Sequence, residues 1–207
     1  MKKLLNTAAA MALAAAFFAT PALASDKSEL LHDANQTVEN LKHDPAFAQA
    51  AKMIGGARAV YIVPKLVKGG FIFGAEGGDG VLLVREGRGW STPKFYGMGS
   101  ASFGLQIGLE QAELVFIINS DLALRGIEKG NVKLGAGAGL TVVNLSSGAE
   151  GATTARGGDM VVWTSGSGAY AGISFNGSVI KADTEENAVP ATGPAAEALR
   201  HNLSTVS

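Results

Sequence analysis

The stretch from Val60 to Gly108, VYIVPKLVKGGFIFGAEGGDGVLLVREGRGWSTPKFYGMGSASFGLQIG, decides the fold class. Short apolar runs alternate with glycine clusters, the pattern of strands joined by tight turns. The run Val60–Val63 is expected to stop at Pro64, which has no N–H to give to a sheet ladder. A second run follows Gly69-Gly70, and Val81–Val84 is a third. Glu86-Gly87-Arg88-Gly89 reads as a hairpin turn into Trp90. Nothing in this stretch has the spacing of a metal site or an activated nucleophile, so it reads as scaffold and binding surface.

Outward from there, the chain adds strands and a few helices. Leu114–Ile118 is a continuous apolar run, expected as a strand buried on both faces. Asn119-Ser120-Asp121 is a capping sequence for a short helix over about 122–129, with Leu122, Leu124 and Ile127 inward and Gly130 as its stop. Val132–Val143, Met160–Thr164, Tyr170–Phe175 and Ser178–Lys181 read as further strands. Upstream, Leu30, Leu31, Ala34, Val38 and Leu41 form one stripe of a 3.6-residue period, so 26–42 reads as a helix packed on the sheet. A second helix is expected from Asp44-Pro45 to about Met53, ended by Gly55-Gly56. Pro194 opens a terminal helix with Ala195, Ala198, Leu199 and Leu203 on one side. The expected class is α+β: a mainly antiparallel, strongly curved or barrel-like sheet of short glycine-rich strands with N- and C-terminal helices.

Met1–Ala24 stands apart from this pattern. Lys2 and Lys3 precede an unbroken apolar run over 8–18, and Ala22-Leu23-Ala24 is an A-x-A cleavage site, so a signal peptide cut after Ala24 is expected. The chain has no cysteine, hence no lipobox, no disulfide and no thiolate chemistry. The expectation is an exported, periplasmic protein. Residues 25–207 then form one domain, with helices over 26–54, a sheet core over 58–181, and a linker with the C-terminal helix over 183–207. Hydrophobic residues make up 47% of the chain and charged residues 17%, which suits a packed core rather than disorder. Loss of Lys2 and Lys3 moves the formal charge from −1 to about −3, a balance that argues against general nucleic-acid binding.

The chemistry-bearing residues argue for binding without catalysis. His32, His43 and His201 lack the other ligands of a zinc site. Gly172-Ile173-Ser174-Phe175-Asn176 fails the second glycine of a nucleophile elbow. Gly135–Leu140 lacks the third glycine of a dinucleotide loop and runs into Thr-Val-Val instead of a helix. Glu76, Asp79 and Glu86 sit in turns among glycines, where they could bind a cation loosely, but turn chemistry explains them as well. No cofactor and no metal is expected. One cluster remains: Lys65, Lys68, Arg85, Arg88 and Lys94, beside Phe71, Phe73, Trp90, Phe95 and Tyr96. In one reading the cations and rings form a rim suited to an anionic head group and the adjoining acyl boundary. In the other the rings fill the core and the cations pair with Glu76, Asp79 and Glu86.

An ordered set of short motifs carries a family resemblance. It comprises Pro64-Lys65, Lys68-x-Gly70, Gly74, Gly77-Gly78-x-Gly80-Val81, Trp90-Ser91, Gly104–Gly108, Lys133-Leu134-Gly135 and the run from Gly168 to Ser178. In these the chain resembles the SYLF domain family, as a bacterial secreted member, over about 26–180. The resemblance implies a non-enzymatic lipid-binding protein, with Lys65 and Lys68 as head-group contacts. Arg85, Arg88, Lys94 and Trp90 join them from the residue pattern alone. Val143-Asn144-Leu145 and Asn187-Ala188-Val189 depart from the family pattern, standing where members often carry a Gly-Pro segment and an aromatic pair. The phosphoinositide specificity of eukaryotic members is not carried over, because an exported bacterial protein would meet phosphatidylglycerol or cardiolipin, and an anionic phospholipid or membrane surface is the expected partner. The alternative is an envelope module that binds another protein and takes no lipid.

Overall fold

A computed structural model describes residues 27–44, 47–70, 73–103, 108–134, 142–145, 158–165 and 177–206. The signal-peptide expectation, Phe71 and the strand expected at Tyr170–Phe175 lie outside them.

Alternation of apolar residues builds the sheet. Strand β1 (Ala59–Gly70) pairs with β2 (Phe73–Glu86) on one side and with β5 (Gly108–Ile118) on the other. Beyond β2 lies β4 (Lys94–Phe103), then β9 (Val179–Ala182) and β6 (Asn131–Lys133). Beyond β5 lie β8 (Met160–Ser165) and β7 (Val142–Leu145), and the short β3 (Gly89–Trp90) pairs with β2. All described pairings are antiparallel except β7 with β8. The class is α+β with a mainly antiparallel, curled sheet, as the alternating runs imply.

The sheet is buried on both faces. Val60, Ile62, Val81, Leu83, Val115 and Ile117 point to one face, and Tyr61, Val63, Leu82, Leu114, Phe116 and Ile118 to the other. This is why Leu114–Ile118 is apolar at every position: each of its residues is fully buried. Helices α1 (Lys27–His43), α2 (Phe47–Gly56) and α4 (Pro194–Ser204) cover the first face. The stripe Leu30, Leu31, Ala34, Val38 and Leu41 lies against it, as its period requires. Polar contacts fix the layer: Thr37 Oγ1 and Asn40 Nδ2 donate to Glu113 Oε1 at 2.9 and 2.8 Å.

The second face is closed by α3 (Asp121–Glu128) and by β6 with β9. Ser120 caps α3, accepting from the Ala123 N–H at 3.2 Å, and Gly130 ends it at φ +73°. The buried positions are Ala123 and Ile127, with Leu124 packed beside them, and Leu122 is 53% exposed. Of the expected inward stripe, Ile127 and the partly buried Leu124 hold, and Ala123 takes the place expected for Leu122. Ala123 and Ile127 are four apart and share a face, and Leu122 falls roughly 100° away from Ala123. In α4 the buried set is Ala196, Leu199, Asn202 and Leu203, with Ala198 exposed, for the same reason.

Pro64 does not end its strand. β1 continues to Gly70, but its register shifts between Ile62 and Val67 against β2 and between Val63 and Leu66 against β5. The bulge absorbs the missing N–H, the setting in which a sheet tolerates proline. Glycines opposite make room for it. A Cβ at Gly78 would lie 2.5 Å from the Lys65 carbonyl oxygen, and one at Gly80 would lie 2.7 Å from Tyr61 Cε2. Both approaches are impossible for any residue with a side chain.

Candidate functional site

The β2–β3 hairpin sets the site. Glu86 pairs with Gly89 and Arg85 with Trp90, so Gly87 and Arg88 form a two-residue turn. Gly87 has φ +59°, the sign that such turns demand. The turn lies at the sheet end where β1 begins, because Ala59 pairs with Val84 and the Arg85 N–H donates to the Arg58 carbonyl at 2.8 Å. The C-terminal end of α2 reaches the same place through Gly55, Gly56 and Ala57. Together Gly55, Gly56, Ala57, Arg58, Arg85, Gly87 and Arg88 line an open cleft of about 420 Å3.

Three arginines therefore share one cleft, each held differently. The Arg85 guanidinium stacks on the Trp90 ring, 3.8 Å from its centroid, and donates to the Ile54 carbonyl at 2.5 Å. Burial lowers its pKa from the usual arginine value. Arginine stays charged even so, leaving a partly desolvated cation at the back of the cleft. Arg58 Nε meets Asp121 Oδ1 at 3.2 Å, with both side chains more than half exposed. Arg88, at the turn, is exposed.

The six residues expected as one lipid-contacting rim do not form one. Arg85, Arg88 and Trp90 belong to this hairpin. Lys65 and Lys68 lie toward the other end of β1, where Lys68 stands opposite Glu76 on β2 and Glu110 on β5. At ~3.3 Å per residue, Glu76 to Arg85 is roughly 30 Å along β2. Lys94 is exposed at the start of β4, opposite Leu82. Trp90 needs correction as a lipid contact. It is 1% exposed and packs in the helix-side core, where Arg200 Nε donates to its carbonyl at 2.9 Å. Phe95 and Tyr96 are likewise buried, because the alternation that makes β4 a strand sends them to opposite apolar faces. These three rings fill the core. Yet among the described residues none of Lys65, Lys68, Arg85, Arg88 and Lys94 forms a salt bridge. The core-packing reading therefore holds for these three rings, and its ion pairs with Glu76, Asp79 and Glu86 are not formed among the described residues.

Arg58 is the residue that the sequence reading missed. It lies 27 positions before Arg85, outside the quoted stretch. The available signal was the β1–β2 pairing itself, since a ladder that sets Ala59 against Val84 must bring Arg58 beside Arg85. Among the described residues no cluster of His, Asp or Glu has the makings of a metal site. No described helix is long and apolar enough to cross a membrane.

The family described as "Ysc84: Las17-binding protein actin regulator" matches residues 99–190. Over these residues the chain matches the Ysc84/SYLF family. It is 33% identical over 141 residues to the human SH3 domain-containing YSC84-like protein 1, covering 66% of this chain and 41% of that protein. The rat protein of the same name is 34% identical over the same length. Protein YSC84 of Saccharomyces cerevisiae is 34% identical over 127 residues, 59% of this chain and 27% of the yeast protein. The chain thus spans less than half the length of these relatives. The family's description speaks of binding and regulation. No solved structure matches. Of the SYLF motifs, Pro64-Lys65 forms the β1 bulge, Gly78 and Gly80 accommodate it, and Trp90-Ser91 closes the hairpin, where the Val84 N–H donates to Ser91 Oγ at 3.0 Å. Gly104–Ile107 and Gly168–Asn176 lie outside the described residues.

Proposed function

We propose that this SYLF member is a non-enzymatic, exported protein that binds an anionic phospholipid surface through its exposed cations. The observation that carries the reading is the convergence of Arg58, Arg85 and Arg88 on one open cleft. Leu122, 53% exposed, adjoins Asp121, the partner of Arg58, and so sets an apolar side chain next to that ion pair in sequence. Cations beside an exposed apolar tip suit the boundary between head groups and acyl chains. Lys65 and Lys94, also exposed, add to the same attraction from other parts of the surface. Each such cation near an anionic leaflet contributes on the order of 1 kcal/mol, so binding is weak and salt-sensitive.

The test is co-sedimentation with vesicles of phosphatidylcholine alone and of phosphatidylcholine with phosphatidylglycerol, at low and high salt. Binding only to the anionic vesicles, lost at high salt, supports the reading. Equal indifference to both overturns it. The description of the family favours a second reading, a protein-interaction module, because it speaks of Las17 binding and actin regulation. In that case cross-linking recovers a protein partner from the cell envelope and the vesicles recover nothing.

A further inference from the structure

We propose that the arginine cleft is a site for a single phosphate group, and that Asp121 holds Arg58 there until the phosphate replaces it. The phosphate belongs either to a lipid head group or to a small soluble ester. The lipid source alone rests on the membrane reading above.

Three features of the cleft carry this. Its cations are guanidinium groups, which match tetrahedral oxyanions with paired N–H donors. They are of graded mobility: Arg85 is fixed by the Trp90 ring and the Ile54 carbonyl, and Arg88 rides an exposed turn. Among the described residues no carboxylate pairs with Arg85, so its charge at the back of the cleft is offset only by a ring face and a carbonyl. Finally, the walls between them are glycine. A Cβ at Gly56 or Gly87 would meet nothing within 4 Å, so the space is open to a ligand.

The Arg58–Asp121 pair gives the site its internal competitor. Both side chains are more than half exposed, at 59% and 56%, and an exposed pair of this kind contributes little net stability. A phosphate bridging Arg85 and Arg88 can therefore recruit Arg58 at little cost. Asp121 keeps a role once released, because a carboxylate in the first turn of α3 interacts favourably with the helix dipole.

The experiment follows the arginine Nε–H resonances of the full protein during titration with glycerol 3-phosphate, which carries the phosphate without acyl chains. Saturable shifts are expected at Arg58, Arg85 and Arg88. Arg58→Ala or Arg88→Ala should weaken binding about fivefold or more, corresponding to loss of a charge-assisted hydrogen bond. Asp121→Asn should tighten it, about threefold, by freeing Arg58. Glu197→Gln, which changes the net charge equally on exposed α4, should not. Arg58 and Arg88 are exposed, so their loss leaves the fold intact, and Arg85 is left in place because it also supports α2. Shifts that never saturate, or that are unchanged in Arg58→Ala and Arg88→Ala, overturn the site even if anionic vesicles still bind. Saturable shifts without vesicle binding uphold the site, assign it to a soluble ester and remove the membrane reading. Tightening by Glu197→Gln equal to that by Asp121→Asn overturns the role given to Asp121.

Discussion

Arg85 and Trp90 face each other across the β2–β3 hairpin, with the guanidinium 3.8 Å from the indole centroid. The stack joins three layers. Trp90 is core, its carbonyl accepts from Arg200 on α4, and Arg85 reaches the last turn of α2 at Ile54. A cation in this position serves the fold first and the cleft second. Arg85→Ala is expected to cost about 2 kcal/mol, from the lost cation–π contact and the hydrogen bond to Ile54. Arg85→Lys should recover less than half of that, because an ammonium has neither the plane nor the fork. Urea unfolding of the two variants measures both.

The coil of the sheet depends on bare backbone at two places. Gly80→Ala would force a Cβ to 2.5 Å from the Ile62 carbonyl oxygen and 2.7 Å from Tyr61 Cε2. Neither neighbour can retreat, since both are fully buried. A loss of about 3 kcal/mol or more is expected, at the high end of overpacking costs. Gly77→Ala, three residues away on the same strand, meets only the Met98 carbonyl oxygen at 3.6 Å and should change stability by less than about 1 kcal/mol. Thermal unfolding of the pair separates close approach from a general demand for glycine.

Asn187 replaces a missing strand. Its Oδ1 accepts from the Phe95 N–H and its Nδ2 donates to the Phe95 carbonyl, both at 2.7 Å, so one side chain engages both backbone groups of Phe95, just past the end of the β4–β9 ladder. This gives a physical role to a position where the sequence departs from the family's aromatic pattern. Asn187→Ala should cost about 1–3 kcal/mol by leaving the buried Phe95 N–H without its partner. Asn187→Asp, which keeps the acceptor, should cost less at neutral pH. Chemical denaturation distinguishes them.

Asp79 titrates upward. Burial raises its pKa above the usual carboxylate value, with Asp183 and then Glu186 adding repulsion. A raised pKa in the fold means that the charged form is the disfavoured one there. The protonated form therefore contributes stability that is present below the unfolded value and lost as pH rises through the folded one. The residue retains much exposure, so solvent screening holds the effect under about 1 kcal/mol. Asp79→Asn should raise stability at neutral pH and flatten its dependence on pH in the mildly acidic range. Unfolding of the wild type and Asp79→Asn, followed as pH rises from the ordinary carboxylate range to neutrality, tests the sign.

How much of this was legible follows from the range of each signal. Local signals held. The run Leu114–Ile118 needs no partner to announce a strand buried on both sides, and Ser120 and Gly130 bracket α3 by backbone chemistry alone. Signals that depend on what packs opposite did not. Leu122 and Ala123 differ only in which meets the sheet, and Pro64 reads as a stop until Gly78 is seen to leave space for a bulge. The site was half legible for the same reason. Arg85 and Arg88 share a hairpin and were found together. Lys65 and Lys68 are as near to each other in sequence but roughly 20 to 30 Å off along the strand. Trp90 counted as surface because aromatic residues next to cations carry no mark of which face they take.

The central claim is that the arginine end of the sheet, more than the lysine end, meets the anionic ligand. Its most direct test is the partition of two double variants, Arg58→Ala/Arg88→Ala and Lys65→Ala/Lys68→Ala, onto phosphatidylglycerol vesicles at low salt, with folding checked by circular dichroism. Two cations at about 1 kcal/mol each correspond to roughly a thirtyfold loss for the arginine pair, against a severalfold loss for the lysine pair. Equal losses, or a larger loss in the lysine pair, would contradict the account.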